Sequence, residues 1–537
     1  MRIIYLSILL FWCGCGFAQQ KMQQHQRPNI LWLVTEDISP YLSFYGDSTA
    51  VTPNLDRLAK EGVVYTNAFS TSGVCAPSRS TIITGMYATS VGTNNMRTLA
   101  DVPVPGIKSY SAVIPPYVKM FTEYLRKDGY YCTNNAKQDY QFVAPLSGWD
   151  ESNRKAHWRN RKPGQPFFAV FNFDVTHESQ IWVRKNRALT VNPEDVKLPP
   201  YYPDSKLIRR DMARMYTNIM TMDTLVGKIL KELKEDNLLD STIIFFYSDN
   251  GGPLPRGKRE VYESGIHLPL VIRFPHEERA GTRDNRMVSF IDFAPTVLSL
   301  AGIKIPGYIQ GVAFEGAQKA PPRQYIYAAR DRMDTEYDMV RTVRDSRFQY
   351  VKNFHPEKPF IQNIAYRLSM DLMQELLQLH QQNKLNAVQN LWFRKTKPVE
   401  ELYDVSNDPY NLKDLAGDPK YAGELKRLRK ELGRWMKATD DKGSIPEKDL
   451  IKQMWNGGDA PPVTEAPVLK KEHGLVAITS ATNGASISWQ WISAGEKPDA
   501  AAWRIYCGPI TIQKNKKLVA IAERIGYKSS SIISKDF

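Results

Sequence analysis

Cysteine is scarce: there are five in 537 residues, and Cys13 and Cys15 fall within the first twenty. Cys75, Cys132 and Cys507 cannot build a disulfide framework, and any one pair among them leaves a thiol over. The spare thiol asks for a chemical explanation. Long apolar runs are missing after the N-terminus, so no transmembrane segment is expected. Dense Lys/Arg blocks with interleaved aromatics are missing too, which argues against nucleic acid as a partner. Positive charge is nevertheless plentiful, since 71 Lys and Arg against 57 Asp and Glu give a formal net charge of +14. Such a surface gathers anionic partners, among them anionic lipid and sulfated or carboxylated polymers.

The chain begins "MRIIYLSILLFWCGCGFAQQ": a basic residue, a short apolar run, then small residues before Gln19. This reads as a signal peptide, residues 1–18, removed to leave an exported product, periplasmic or secreted. Cys13 and Cys15 hint at lipid attachment, but Trp12 stands where a small residue is wanted, so lipoprotein anchoring is the weaker reading. Residues 19–320 alternate strand and helix patterns. "NILWLVTED", "PFFAVFNFDVTH" and "STIIFFYSDNGG" are continuous apolar runs that end in polar residues, and "TPNLDRLAKEG" has helical spacing with a glycine stop. The fold class is therefore α/β, a large and mostly parallel sheet sandwiched by helices. Residues 321–458 predict a smaller antiparallel-sheet subdomain with a packed helix, and residues 459–537 a Pro-rich linker and a β-sandwich.

Ligands of parallel sheets bind beyond the carboxyl ends of the strands. Glu36 and Asp37, His177, and Asp249 and Asn250 each follow such an end. The acids and the amide are hard oxygen donors, suited to Ca²⁺ or Mg²⁺ and poorly suited to zinc. Arg79 lies one helical turn after Cys75, Lys137 follows another strand-like run, and Lys258 falls in the loop after Asn250. Each alone reads as an ordinary surface cation. Converging on a metal, they make a site for a tetrahedral oxyanion.

The motif "CAPSR" (Cys75–Arg79) resembles the C-x-P-S-R signature of the formylglycine-dependent sulfatases of the alkaline phosphatase superfamily. "RPNILWLVTED", "TPNLDRLAKEGVVYTNAF", "GYYCTNNAK", "SDNGG" and "ELYDVSNDPYNLKDLA" follow that family's order over residues 27–440. The resemblance is nearest to the branch of bacterial polysaccharide sulfatases and heparan N-sulfatase-like enzymes. It implies an alkaline phosphatase-like fold and oxidation of Cys75 to formylglycine by a separate maturation enzyme, which reads Pro77 and Arg79. The hydrated aldehyde would attack sulfur with one hydroxyl and release sulfate with the other. It further implies metal ligation by Asp37, Asp249, Asn250 and modified Cys75, with Ca²⁺ favoured over Mg²⁺. Glu36 stands where the family commonly has aspartate, one methylene shorter. Lys137, Lys258 and His177 match sulfate-binding and proton-donating residues, and Arg79 would hold the aldehyde hydrate. Asp139 replaces a histidine of the family's Lys-x-His; it either accepts a proton at the nucleophile or serves as a structural acid.

For substrate, Arg97, Arg330 and Arg332 are expected on the cleft rim, pairing with uronate carboxylates or further sulfates. His267 either supports the Lys258 loop or touches a sugar. Residues after the linker resemble the C-terminal β-sandwich module of chitobiases and hexosaminidases, which implies a glycan setting. The expected activity is that of an exported carbohydrate sulfatase acting on a sulfated polysaccharide or its oligosaccharides, such as algal ulvan or host glycosaminoglycans. The alternatives are an N-sulfoglucosamine sulfamidase, a phosphodiester or phosphonate hydrolase, and a glycan-binding protein without activity. The retained Cys75, Arg79, Lys137, His177 and Lys258 weigh against the last.

Overall fold

The structure, a computed structural model, describes residues 27–100 and 104–537. The expected signal peptide lies outside the described residues. Eight strands form the main sheet: β1 (Asn29–Thr35), β2 (Val63–Phe69), β3 (Tyr131–Asn135), β4 (Glu151–Ser152), β5 (Phe167–Phe173), β6 (Thr242–Ser248), β7 (His267–Arg273) and β8 (Thr282–Ser289). Their spatial order is β4-β3-β5-β1-β6-β7-β2-β8. The first five in that order are mutually parallel, β7 is antiparallel to both neighbours, and β2 and β8 are parallel.

Burial on both faces explains the unbroken apolar strands. In β1, Leu31 and Leu33 face one core while Ile30, Trp32 and Val34 face the other. The first core is closed by the long helix Lys206–Glu235, with the helices Pro53–Glu61 and Asp371–Gln381 beside it. Ser205 caps the long helix by accepting the Ile208 N–H at 3.2 Å. The second core takes the helices Cys75–Thr84, Phe121–Lys127 and Phe293–Leu300. No helix among the described residues is long and apolar enough to cross a membrane.

A second sheet of β9 (Ile326–Arg330), β10 (Val340–Arg344), β11 (Phe348–Asn353) and β12 (Glu400–Asp404) is wholly antiparallel. Its covering helix is Ala422–Ala438, which buries Leu428, Leu432 and Trp435. The helix Asp371–Gln381, although it comes between β11 and β12, packs Leu372, Met373 and Leu376 into the first core instead.

The C-terminal strands are β13 (Val468–Glu472), β14 (Leu475–Thr479), β15 (Ser486–Ile492), β16 (Arg504–Ile505), β17 (Ile510–Thr511), β18 (Lys517–Glu523) and β19 (Ile533–Asp536). They form a three-stranded and a four-stranded sheet packed over Leu469, Val476, Ile478 and Leu518. The outer face of the four-stranded sheet is also covered, with Ile492, Trp503, Val519 and Ile521 packed beside Leu146 of the main domain. Lys119 Nζ donates to Gly484 O at 2.6 Å, Arg126 Nη2 to Trp503 O at 2.8 Å, and Leu146 N to Glu523 Oε2 at 2.7 Å.

Trp435 is buried and stacks on Tyr327 with centroids 5.0 Å apart. Trp435→Ala should destabilise the protein by about 3–5 kcal/mol, read as a lower midpoint of urea unfolding.

Candidate active site

β1 and β6 are adjacent and parallel, with Thr35 opposite Ser248. The residues that follow them, Glu36–Asp37 and Asp249–Asn250, therefore emerge side by side. Asn250 Nδ2 donates to Asp37 Oδ1 at 2.9 Å, and Asp37 N donates to Asp249 Oδ1 at 3.3 Å. Asp37 takes a left-handed backbone, φ 51°, which lets its carboxylate turn back over the sheet end.

The helix Cys75–Thr84 starts beside this cluster, after the extended Val74. Every residue of it is buried. Ser78 Oγ donates to Asp249 O at 2.6 Å, and Arg79 Nε donates to Asp249 Oδ2 at 2.8 Å. Arg79 Nη1 also donates to Asn172 Oδ1 of β5 at 2.7 Å. Burial opposes the Arg79 charge, but Asp249 and then Glu36 hold its pKa above the ordinary value. Burial pushes the Cys75 thiol up to about 12, with Asp139 adding to the shift. The group present at neutral pH is a thiol, not a thiolate.

Four more side chains close on the same spot. Lys137 Nζ donates to Glu36 Oε2 at 2.6 Å and lies 3.4 Å from Asp139 Oδ2. Burial works against the Asp139 charge, yet Lys137, Arg97, the Cys75 thiol and Arg79 hold its carboxyl well below the usual range. Lys258 Nζ donates to Asp37 Oδ2 at 2.7 Å and reaches Glu178 Oε1 at 3.1 Å. His177 Nδ1 accepts the Ser179 N–H at 3.3 Å, which leaves the ring proton on Nε2, 3.9 Å from Glu36 Oε2. Burial, then Lys258 and Lys137, lower the His177 pKa to about 2, so this proximity to Glu36 is not an ion pair.

Glu178 and Arg259 were not singled out by the sequence, because each sits beside a more conspicuous neighbour, His177 or Lys258. They are joined by two hydrogen bonds of 2.7 Å in a buried bidentate pair. Arg256 and Arg259 both hold left-handed backbones, φ 68° and 77°. The strain is absorbed by their contacts: Arg256 sits 4.8 Å over the Tyr201 ring and donates to Asn411 O at 3.1 Å. These two anchors fix the loop that presents Lys258.

A hard cation fits the donors present. Asn250 Oδ1 is buried and accepts no hydrogen bond, and Glu36, Asp37 and Asp249 are buried in the same cluster, Asp37 directly against the Asn250 amide. Burial raises the Glu36 carboxyl to about 7, against the pull of Lys137. Asp37, His177 and Glu178 also bring ligand atoms within 4.8 Å of one another. Glu178 is already held in a bidentate pair by Arg259, whereas Asn250 Oδ1 beside Asp37 has no partner, so the Asp37, Asp249 and Asn250 oxygens make the better donor set.

A cleft of about 480 Å³ opens over this cluster, lined by Glu36, Arg97, Lys137, Asp139, His177 and Tyr366 among others. A larger one of about 640 Å³ lies at the opposite end of the strands, beside Asn29 and Ser241, away from these groups. Arg97 remains on the cleft wall, 4.0 Å from Asp334. The other expected rim residues do not. Arg330 is buried against Glu260 at 2.9 Å, and Arg332 against Glu447 at 2.6 Å, so both cations are spent internally. His267 stacks on Phe69 at 5.0 Å with Nε2 2.9 Å from Thr66 O, which makes it a support of the sheet rather than a sugar contact. Cys75, Cys132 and Cys507 are all unpaired.

Comparison with known proteins agrees with the fold. The family model described as Sulfatase matches residues 28–303, and that described as N-sulphoglucosamine sulphohydrolase, C-terminal, matches residues 256–354. An ulvan-active sulfatase of Formosa agariphila is 46% identical over 99% of this chain and 97% of its own length. Human N-sulphoglucosamine sulphohydrolase is 26% identical over 77% of this chain and 90% of its own length. Among solved structures, the phosphonate monoester hydrolase of Agrobacterium radiobacter shares the fold, with a TM-score of 0.57 at 18% identity, covering 78% of this chain and 97% of that one. The chain belongs to the sulfatase family and is a sulfuric ester hydrolase.

Gly73 lets the backbone before Cys75 pass the Lys258 loop, since a Cβ there would press into the Glu260 carbonyl oxygen and amide nitrogen. Gly73→Ala should therefore shift loop against helix and lower kcat/KM for sulfate release by roughly 100-fold. Arg259→Leu breaks the bidentate pair and leaves buried Glu178 with Lys258 alone, which should cost about 3 kcal/mol of stability, measured by denaturant titration.

Proposed function

We propose that this sulfatase hydrolyses O-sulfate esters of a sulfated polysaccharide of the ulvan type, or of oligosaccharides cut from it, after export from the cytoplasm. The observation that carries this reading is the near-complete, 46% identical match to an ulvan-active sulfatase, in a chain that surrounds Cys75, the first residue of its helix, with acids and cations. Cys75 is the residue to be oxidised to formylglycine. Hydrated, that aldehyde supplies one hydroxyl to attack sulfur and a second whose deprotonation restores the carbonyl and frees sulfate. Glu36, Asp37, Asp249 and Asn250 would hold Ca²⁺, or Mg²⁺, with the modified Cys75 side chain reaching the same ion. When bound, the ion supplies Lewis acidity at the sulfate oxygens.

The remaining work falls to this chain's own side chains. Lys137 and Lys258 carry the charge of the sulfate oxygens, and Arg79 orients both Asp249 and the hydrated aldehyde. His177, neutral and carrying its proton on Nε2, donates a hydrogen bond to the sugar oxygen as its bond to sulfur breaks, and solvent completes the protonation to the alcohol. Asp139, ionised and next to Cys75, accepts a hydrogen bond from the attacking hydroxyl. Arg97 is the cleft cation left for a second anionic group on the glycan. Residues 459–537 serve as an accessory module of the chitobiase or hexosaminidase type. A second reading, hydrolysis of N-sulfate on glucosamine, draws on the match of residues 256–354.

Mass spectrometry of the peptide bearing residue 75 should find the aldehyde in active protein. Ion chromatography should then detect sulfate freed from O-sulfated oligosaccharides, falling by roughly 1,000-fold or more in Cys75→Ala. Chelation should abolish release, and Ca²⁺ should restore it. Sulfate from N-sulfated sugars alone would select the second reading. No sulfate from any glycan, with the aldehyde confirmed, would refute both.

A further inference from the structure

The chain between β11 and β12 crosses back over the carboxyl end of the main sheet, and its side chains there do not serve the sheet it left. Ile364 is fully buried in one cluster with Val74, Cys75, Ala76, Met96 and Met333. Arg367, three residues on, is buried as well: its Nη2 donates to Gln362 O at 2.8 Å, and its guanidinium lies 4.9 Å over Trp392. Between these anchors Tyr366 is 37% exposed and lines the cleft. Its ring lies 6.2 Å from the His177 imidazole and 5.2 Å from Trp182, which meets it edge-on. A surface aromatic on a loose loop would need no explanation. Here the residues on both sides are locked into the interior, so the ring is held at a fixed height above the reacting groups.

An aromatic ring left partly in water beside a cluster of charges is suited to a ligand that is anionic at one point and apolar beside it. A sulfated pyranose has that form, with a sulfate on its edge and C–H bonds on its face. We propose that Tyr366, backed by Trp182, is the platform on which the sugar ring carrying the scissile sulfate stacks. This inference rests on the carbohydrate reading above and adds to it a residue that sets sugar affinity and takes no part in bond cleavage.

The test compares wild type, Tyr366→Ala and Tyr366→Phe on a sulfated oligosaccharide that the wild type hydrolyses, with inorganic sulfate as a competitive inhibitor. Tyr366→Ala should raise KM about tenfold, equivalent to about 1.4 kcal/mol, while kcat stays within about twofold. Tyr366→Phe, which keeps the ring, should restore KM to within about twofold of wild type. The inhibition constant of sulfate should change by less than about twofold in both variants, because the anion sits on Lys137 and Lys258 and not on the ring. An unchanged KM in Tyr366→Ala overturns the proposal, as does a Tyr366→Phe variant as weak as Tyr366→Ala. A sulfate constant that worsens with KM also overturns it, since the cluster itself would then have moved. Wild-type protein that releases sulfate from no glycan defeats the broader reading and this one together, whereas active wild type with an unaffected Tyr366→Ala defeats this one alone.

Discussion

A carboxylate removed from water costs several kcal/mol unless a cation meets it, and this protein buries Glu36, Asp37, Asp249 and Glu178 within one site. Each is met by a cation, Lys137, Lys258, Arg79 and Arg259 respectively, drawn from three separate segments. The pairing ties together the ends of β1 and β6, the helix Cys75–Thr84, the turn after β3, the turn after β5 and the loop before β7. Each of these segments depends on another for its charge balance. What organises the carboxyl end of the sheet is thus the demand for charge compensation, and the apolar strands beneath it act as the support.

Backbone strain also falls in this region, as it does elsewhere in the chain. Asp37, Arg97, Asp139, Arg256, Arg259 and Asp334 all adopt left-handed conformations that non-glycine residues avoid. Each occurs where a charged side chain must turn toward the cleft or grip the loop behind it. Small residues do the complementary task. Gly73, Gly251 and Gly265 let the Cys75 helix, the turn after Asn250 and the Lys258 loop approach backbone to backbone, at distances that any side chain would forbid. Rigid placement of charge, with no search required during the reaction, is what electrostatic catalysis needs.

Much of this was legible in the residues. Apolar runs that stop at "TED", "DVTH" and "SDNGG" revealed both the parallel strands and the ends where polar groups gather, because two-sided burial leaves no alternation to misread. The helix beginning at Cys75 is anticipated by the placing of Arg79 one turn after it, and the structure has that helix. What could not be read were partners far apart in the chain. Glu178 and Arg259 are 81 residues apart, Arg330 and Glu260 70, and Arg332 and Glu447 115. An arginine in a polar stretch looks the same whether it faces solvent or a buried glutamate, so Arg330 and Arg332 appeared available when they were already engaged. Tyr366 was hidden for the opposite reason. Nothing in its neighbourhood shows that the chain doubles back across the cleft.

The four-stranded sheet of the C-terminal sandwich is sealed on one side by its sister sheet and on the other by the main domain around Leu146. It is therefore no pendant on a string. Any polymer strand it grips would be registered against the cleft at one set spacing, as a jig holds work to a blade, and cutting the chain at the linker would bare a greasy seam on both halves.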